Sequence, residues 1–301
     1  MVRRIRTSVH GPEFSRIACG TWRFFSSKLN PQEINRRLHA CLDLGITTID
    51  TAEMYGRYHV EELVGKALGL SPGLRDKLEL ITKSGIYLPC DQHPEWRSAH
   101  YDATAARLIN SVNKSLRLLR TDHVELFLVH RPDWLTSAAD TGTGLNKLLS
   151  SGKIRGAGVS NYNVWQFDLL NTYMERPLAT NQVEFSLLHP EPIQDGTLNQ
   201  SEKLGISPMA WSPLAGGRMF DPSNPAAKRL ANVKEIASRY DNAPLEQLAY
   251  AWILAHPSHP IPVIGTSNLE RLHSAAQADS IVLDRQDWYA LWEIAQGRSI
   301  P

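Results

Sequence analysis

Four residues in the first half of the chain have the types and spacing for proton transfer at a carbonyl. Asp50 and Tyr55 share the segment GITTIDTAEMYG, Lys83 closes the apolar run LELITK, and His130 closes VELFLVH. A phenol, with a reference pKa of about 10, is a weak acid at neutral pH. A cation beside it lowers that pKa, whereas burial raises it. Lys83 can supply the cation, Asp50 can keep the lysine charged and aimed, and His130 can hydrogen-bond a carbonyl oxygen or orient it against Tyr55. Taken singly, each has an ordinary explanation. An acid or lysine ending a strand is commonly solvated rim, a tyrosine half-buried packing, and one of eleven histidines a core or surface residue. Their joint place at the ends of three successive apolar runs favours a shared site.

Residues up to 80 positions apart converge only if the elements carrying them end on one face. Short apolar runs at 16–20, 46–50, 78–83, 124–130, 156–160, 179–184, 207–212 and 262–265 read as eight buried parallel strands. Helical patterns lie between them. Asn30, Pro31 and Glu33 supply an N-cap, a pre-set φ and a first-turn charge, and Leu108, Val112, Leu116 and Leu119 line one face of 105–119. Ser267 and Glu270 have capping-box spacing and open a helix straight after the last strand, and a final helix spans about 284–296. Eightfold strand–helix alternation suits a closed barrel or an open doubly wound sheet. No GxGxxG turn follows an early strand, and the polar strand ends come from many strands, so the fold expected is α/β, one (β/α)8 barrel domain over 1–301. Irregular stretches at about 87–101, 131–143 and 215–225 each follow a strand and are expected to shape the site.

Composition narrows the partner. With 301 residues, 42% hydrophobic and 21% charged, the chain is globular, and a net charge of +1 offers no field for nucleic acid or an anionic membrane. Cys19, Cys41 and Cys90 are too scattered for a disulfide framework or a zinc knuckle. The opening MVRRIRTSVHG has no apolar stretch behind it and no window reaches the length of a membrane span, so a cytoplasmic protein acting on a small molecule is expected. Oligomeric state is left open.

From about Gly20 to Gln277 the sequence resembles the aldo-keto reductases. GITTIDTAEMYG, LELITKSG, VELFLVHRPD, GKIRGAGVSNY, NQVEFS, WSPLAGG and VIGTSN followed by Arg271 match that family's segments in its order. The resemblance implies a (β/α)8 barrel that binds NADPH without a Rossmann turn and reduces aldehydes or ketones. It places the family's acid–base tetrad on Asp50, Tyr55, Lys83 and His130. It also implies that Ser160, Asn161 and Gln182 hold the nicotinamide carboxamide, whose donors and acceptor such side chains can match. Trp211 takes the stacking position where many members have Tyr. Ser212, Pro213, Leu214 and Arg218 match the loop over the pyrophosphate, although Arg218 reads equally as a solvated charge. Thr21, Trp22 and Arg23 match the contacts after the first strand. Gly265, Thr266, Ser267 and Arg271 match the adenosine 2′-phosphate site, where amides, hydroxyls and a guanidinium suit a dianion. Many members have Lys where Gly265 stands, so one cation is missing. Little chain follows the final helix, so an open pocket lined by Trp22, Tyr87, Trp96 and the 131–134 turn is expected.

Two other readings use the same residues. A lyase would employ Lys83 as a Schiff-base amine but leaves the GVSNY, Gln182 and Arg271 segments without a role. An NADPH-sensing subunit with slow or no turnover would keep the cofactor segments while its tetrad stood idle. A metal hydrolase is not favoured, because no HxH pair or carboxylate bridge falls on the strand ends.

Overall fold

A computed structural model describes residues 1–300. Two antiparallel hairpins lie outside the main sheet: β1 (Arg4–Arg6) with β2 (Glu13–Ser15), and β6 (Ile86–Tyr87) with β7 (His100–Tyr101). The sheet itself is a closed parallel barrel of β3 (Ala18–Gly20), β4 (Thr48–Asp50), β5 (Glu79–Ser84), β8 (Leu126–Val129), β9 (Ala157–Ser160), β10 (Asn181–Glu184), β11 (Met209–Trp211) and β12 (Ile261–Ile264), with β12 pairing back onto β3. Helices α1 (Pro31–Asp43), α2 (Val60–Leu68), α3 (Ala105–Leu119), α4 (Ala138–Ser150), α5 (Val164–Asn171) and α6 (Thr197–Leu204) cross over between successive strands. Helices α7 (Pro225–Leu230), α8 (Lys234–Ser238) and α9 (Leu245–Leu254) lie between β11 and β12, and α10 (Leu269–Gln277) and α11 (Arg285–Gln296) follow.

All eight expected strands are in the barrel. The first hairpin was not anticipated, and it closes the barrel floor. Phe14 from β2 is fully buried among Ala18, Ile81, Leu126, Leu128, Met209, Ile261 and Val263. Emptying such a position costs about 3–5 kcal/mol.

The register explains how the floor becomes a mouth. Asp50 is paired with Gly20 and Ile81, Lys83 with Leu128, and Gln182 with Ser160 and Met209. Paired residues share a face and alternate residues return to it. The inward set therefore runs from Ile81 up to Lys83, from Leu128 to His130, from Met209 to Trp211 and from Val263 to Gly265. Gly20 sits where a Cβ would lie 2.9 Å from Val263 Cγ1 and 3.3 Å from the Ile264 carbonyl, so a side chain beside Asp50 would collide.

Several boundaries differ from expectation. The 131–143 stretch is irregular only to Ser137, which caps α4 through the Asp140 amide. The 87–101 stretch is drawn together at its ends by the second hairpin. The 215–225 stretch contains a short 3-10 turn over Ala215–Phe220. The helix after β12 is not opened by Ser267: Asn268 is the N-cap and accepts from the Glu270 and Arg271 amides. No helix among the described residues is long and apolar enough to cross a membrane.

Candidate active site

The barrel mouth brings Asp50, Tyr55, Lys83 and His130 together. Lys83 is wholly buried, and its Nζ donates to Asp50 Oδ1 at 2.7 Å, to the Thr51 carbonyl at 2.8 Å and to Tyr55 Oη at 3.0 Å. Three acceptors use all three ammonium hydrogens. Burial pulls the Lys83 pKa down, but the neighbouring Asp50 charge and Tyr55 hydroxyl outweigh it and raise the value above the ordinary one. A lysine held protonated is a poor nucleophile, which counts against the Schiff-base reading. Gln182 Nε2 holds the other Asp50 oxygen at 2.8 Å.

Tyr55 hangs over this pair on the loop after β4. Its ring lies 4.9 Å from Trp22 and 5.9 Å from His130. Burial raises its pKa, Lys83 opposes that, and burial prevails, so the phenol keeps its proton well past neutrality. Much of the Lys83 charge is already compensated by Asp50, and this limits how far it can acidify Tyr55. His130 is held well below the usual histidine range by burial first and then by the charges of Lys83 and Arg131. It is a neutral imidazole at physiological pH. His130 Nδ1 is buried without a partner among the described residues, an unmet polar group beside Tyr55.

Around the tetrad lies a wider polar ring. Asn161 Nδ2 donates to Ser160 Oγ at 2.8 Å and to the His130 carbonyl at 3.3 Å, while its Oδ1 accepts the Trp211 indole N–H at 2.9 Å. Ser160 Oγ donates to the Gln182 carbonyl at 2.8 Å. The bond to Asn161 fixes the plane of the Trp211 ring, which a tyrosine in that position could not do with an indole N–H. Asn161 itself has a positive φ of 61°, a conformation that asparagine tolerates better than most residues. Beyond the ring, Gly216 and Gly217 are exposed with open space around them, Arg23 Nη2 reaches the Gly216 carbonyl at 3.0 Å, and Arg271 has no ion pair among the described residues.

A model of the Aldo/keto reductase family matches residues 16–296. The chain belongs to the aldo/keto reductase family. It is 43% identical to a protein of Agrobacterium fabrum named 6-dehydroglucose reductase, over 96% of each chain. It is 40% identical to the oxidoreductase YdhF of Escherichia coli, over the full length of both. Among solved structures, a glycerol dehydrogenase from Gluconobacter oxydans superposes with a TM-score of 0.85 at 27% identity, covering 98% of this chain and 95% of that one. Membership makes the chain an oxidoreductase of a family that uses nicotinamide cofactors.

As an aldo/keto reductase, the chain carries the expected site residues in unequal states of readiness. Trp22 is half-exposed at the mouth. Thr21 is fully buried and gives both its amide and its hydroxyl to the Asp50 carbonyl, so it braces the tetrad. Ser212 has a positive φ of 49°, Pro213 is buried, and Leu214 packs into the outer core. Arg218 is engaged with Glu184 Oε1 at 3.0 Å and with the Ala215 carbonyl. Thr266 Oγ1 accepts the Asn268 amide at 3.1 Å, and Ser267 and Gly265 are partly exposed. Tyr87 and Trp96 are placed elsewhere than expected. They stack with His93 and His100, and Tyr87 lies under Arg107; with Glu53, Lys114 and Arg117 they line a side cavity of about 460 Å³ that includes none of the tetrad. Glu53, two residues before Tyr55, anchors that cluster through Arg107 at 2.7 Å. Sequence reading gave no role to Glu53 or to Arg37. The available signal was a charged residue on an apolar stripe, since Arg37 shares the buried face of α1 with Ile34, Leu38 and Cys41.

Proposed function

We propose that this chain reduces an aldehyde or ketone to an alcohol with NADPH, Tyr55 giving up the proton. The observation that carries the reading is the chain Gln182–Asp50–Lys83–Tyr55, a continuous hydrogen-bonded line that ends on a phenol at the barrel mouth. Bound NADPH would supply the hydride that becomes the new C–H bond. Ser160, Asn161, Gln182 and Trp211 form the polar and aromatic surface suited to the nicotinamide. Thr266, Ser267 and Arg271 form the anion seat for the 2′-phosphate, with Arg23 and the loop 212–218 between the two.

Proton delivery then belongs to this chain alone. Tyr55 donates to the developing alkoxide, and the positive charge of Lys83, 3.0 Å away, stabilises the phenolate left behind. Asp50 keeps Lys83 protonated and Gln182 keeps Asp50 oriented. Neutral His130 offers an N–H to the carbonyl oxygen and positions it against Tyr55. Trp22, half-exposed and edge-on to Tyr55, gives a face on which a hydroxylated carbon skeleton can lie. The names 6-dehydroglucose reductase and glycerol dehydrogenase carried by relatives support a sugar- or polyol-derived carbonyl as the substrate.

A panel of simple aldehydes, ketones and oxidised sugars, assayed by loss of NADPH absorbance, tests the reading. Turnover is expected on at least one hydroxylated carbonyl, and Tyr55→Phe should lower it by about 10²–10⁴-fold with NADPH binding intact. A Tyr55→Phe variant with near wild-type turnover would remove the phenol from the mechanism.

A further inference from the structure

Arg37 is a buried cation with no carboxylate. Its relative exposure is 3%, and no ion pair among the described residues includes it. Its guanidinium projects from α1 between two loops of the mouth. On one side its Cζ lies 5.8 Å from the centre of the buried Phe24 ring, in the loop after β3. On the other, Nη1 donates to the Thr266 carbonyl at 3.2 Å and Nη2 donates to the Ser267 carbonyl. Charges this deeply buried usually sit against an opposite charge, because desolvation is costly. Here the guanidinium meets the Phe24 ring and two peptide carbonyls, and the carbonyls belong to the turn between β12 and α10.

Those two bonds have a geometric consequence. The peptide bonds are trans, so a carbonyl and the amide that follows it point in opposite directions. With the Thr266 carbonyl turned inward to Arg37, the Ser267 amide faces outward, and it has no partner among the described residues. The Thr266 and Leu269 amides are likewise without a partner among the described residues, whereas three others are engaged. Asn268 has its amide on Thr266 Oγ1, and its side chain holds those of Glu270 and Arg271. Capping leaves the Ser267 amide free, and what the bond from Arg37 to the Thr266 carbonyl adds is its outward direction. Gly265, at the start of this turn, has nothing within 4 Å of a would-be Cβ and contributes no charge.

We propose that Arg37 is the inner half of the 2′-phosphate seat, a specificity-determining residue that sets the Ser267 amide outward and places an uncompensated positive charge behind it. Arg271 meets the phosphate from the solvent side. The inference rests on the NADPH reading above, and it accounts for how the seat keeps two cations without a lysine at Gly265.

Dissociation constants for NADPH and NADH, read from nicotinamide fluorescence, test it on wild type, Arg37→Gln and Arg37→Lys. Arg37→Gln should weaken NADPH about tenfold, the value of one hydrogen bond to a charged group, while NADH changes by less than about twofold. Arg37→Lys keeps the charge but not the two-pronged grip, so its NADPH affinity should fall between the two. Adding Gly265→Lys to Arg37→Gln should restore NADPH selectively. Equal losses for both nicotinamides would make Arg37 a prop for the fold and overturn the inference alone. A wild-type protein that binds both equally would overturn the inference together with the NADPH reading. If Arg37→Gln does not fold, as judged by circular dichroism, the Lys variant decides: an unchanged NADPH-to-NADH ratio refutes the proposal.

Discussion

Lys83→Met removes a cation from a place that water cannot refill, and the structure sets the size of the effect. Lys83 is wholly buried and its three bonds go to Asp50, Thr51 and Tyr55. After substitution the buried Asp50 carboxylate keeps only Gln182, at 2.8 Å. Removing one partner of a buried ion pair costs about 3–5 kcal/mol, mostly for the stranded charge. At roughly 2 °C per kcal/mol for a chain of this length, Tm should fall by about 6–10 °C. The loss should grow from pH 5 to pH 8, because a lone buried carboxylate is neutralised more easily in acid. Adding Asp50→Asn relieves the charge: the new amide oxygen can still accept from Gln182 and its NH2 can turn to the Thr51 carbonyl. The double variant should therefore recover most of the stability while reduction stays about 10²–10⁴-fold below wild type. Calorimetric melts and NADPH-consumption assays on the two single variants and the double complete the cycle. A double variant as unstable as Lys83→Met would refute the claim that the two charges stabilise each other, and one with restored turnover would refute the role given to Lys83.

Three further outcomes are expected. Arg271→Ala should weaken NADPH about 10- to 100-fold relative to NADH, because a charge-assisted hydrogen bond to the 2′-phosphate is lost, and parallel titrations of the two nicotinamides check it. The rate of reduction should stay flat across the neutral range and decline only in strong alkali, since Tyr55 is raised above its ordinary pKa and His130 is already neutral; a kcat/KM profile with a limb near pH 6.5 would contradict this. Burial lifts Glu61 to about 7, so between pH 4.5 and 7 the folded chain holds a proton that the unfolded chain has released, and stability falls as pH rises through that window. Glu61→Gln should remove this slope and gain on the order of 3 kcal/mol over wild type at pH 8, and parallel melting curves for the two proteins would show the reasoning to be wrong.

The amino-acid sequence by itself determined the barrel and the tetrad. Strands buried on both faces must be short and apolar, and a parallel barrel must bring its strand ends to one mouth, so Asp50, Lys83 and His130 announced themselves by ending apolar runs. Ser160, Gln182 and Trp211 were named by the family resemblance alone, and the barrel register puts them on the same inward face. Local chemistry was equally legible where it is local: Asn30 caps α1 with Pro31 and Glu33 in its first turn, as their order predicts. The rest depends on contacts between segments far apart in the chain. The first hairpin plugs the barrel floor only because the barrel exists to receive Phe14. Tyr87 and Trp96 left the expected pocket because Arg107 on α3 and two histidines give their rings better partners. Ser267 lost the N-cap to Asn268, and its carbonyl went instead to Arg37, 230 positions away. The balance at Tyr55 was likewise a tertiary matter: the sequence supplied the cation, but only the packing determines how far burial outweighs it. Spacing reports what a residue can reach along its own element; which distant group satisfies a buried donor is decided when the elements pack.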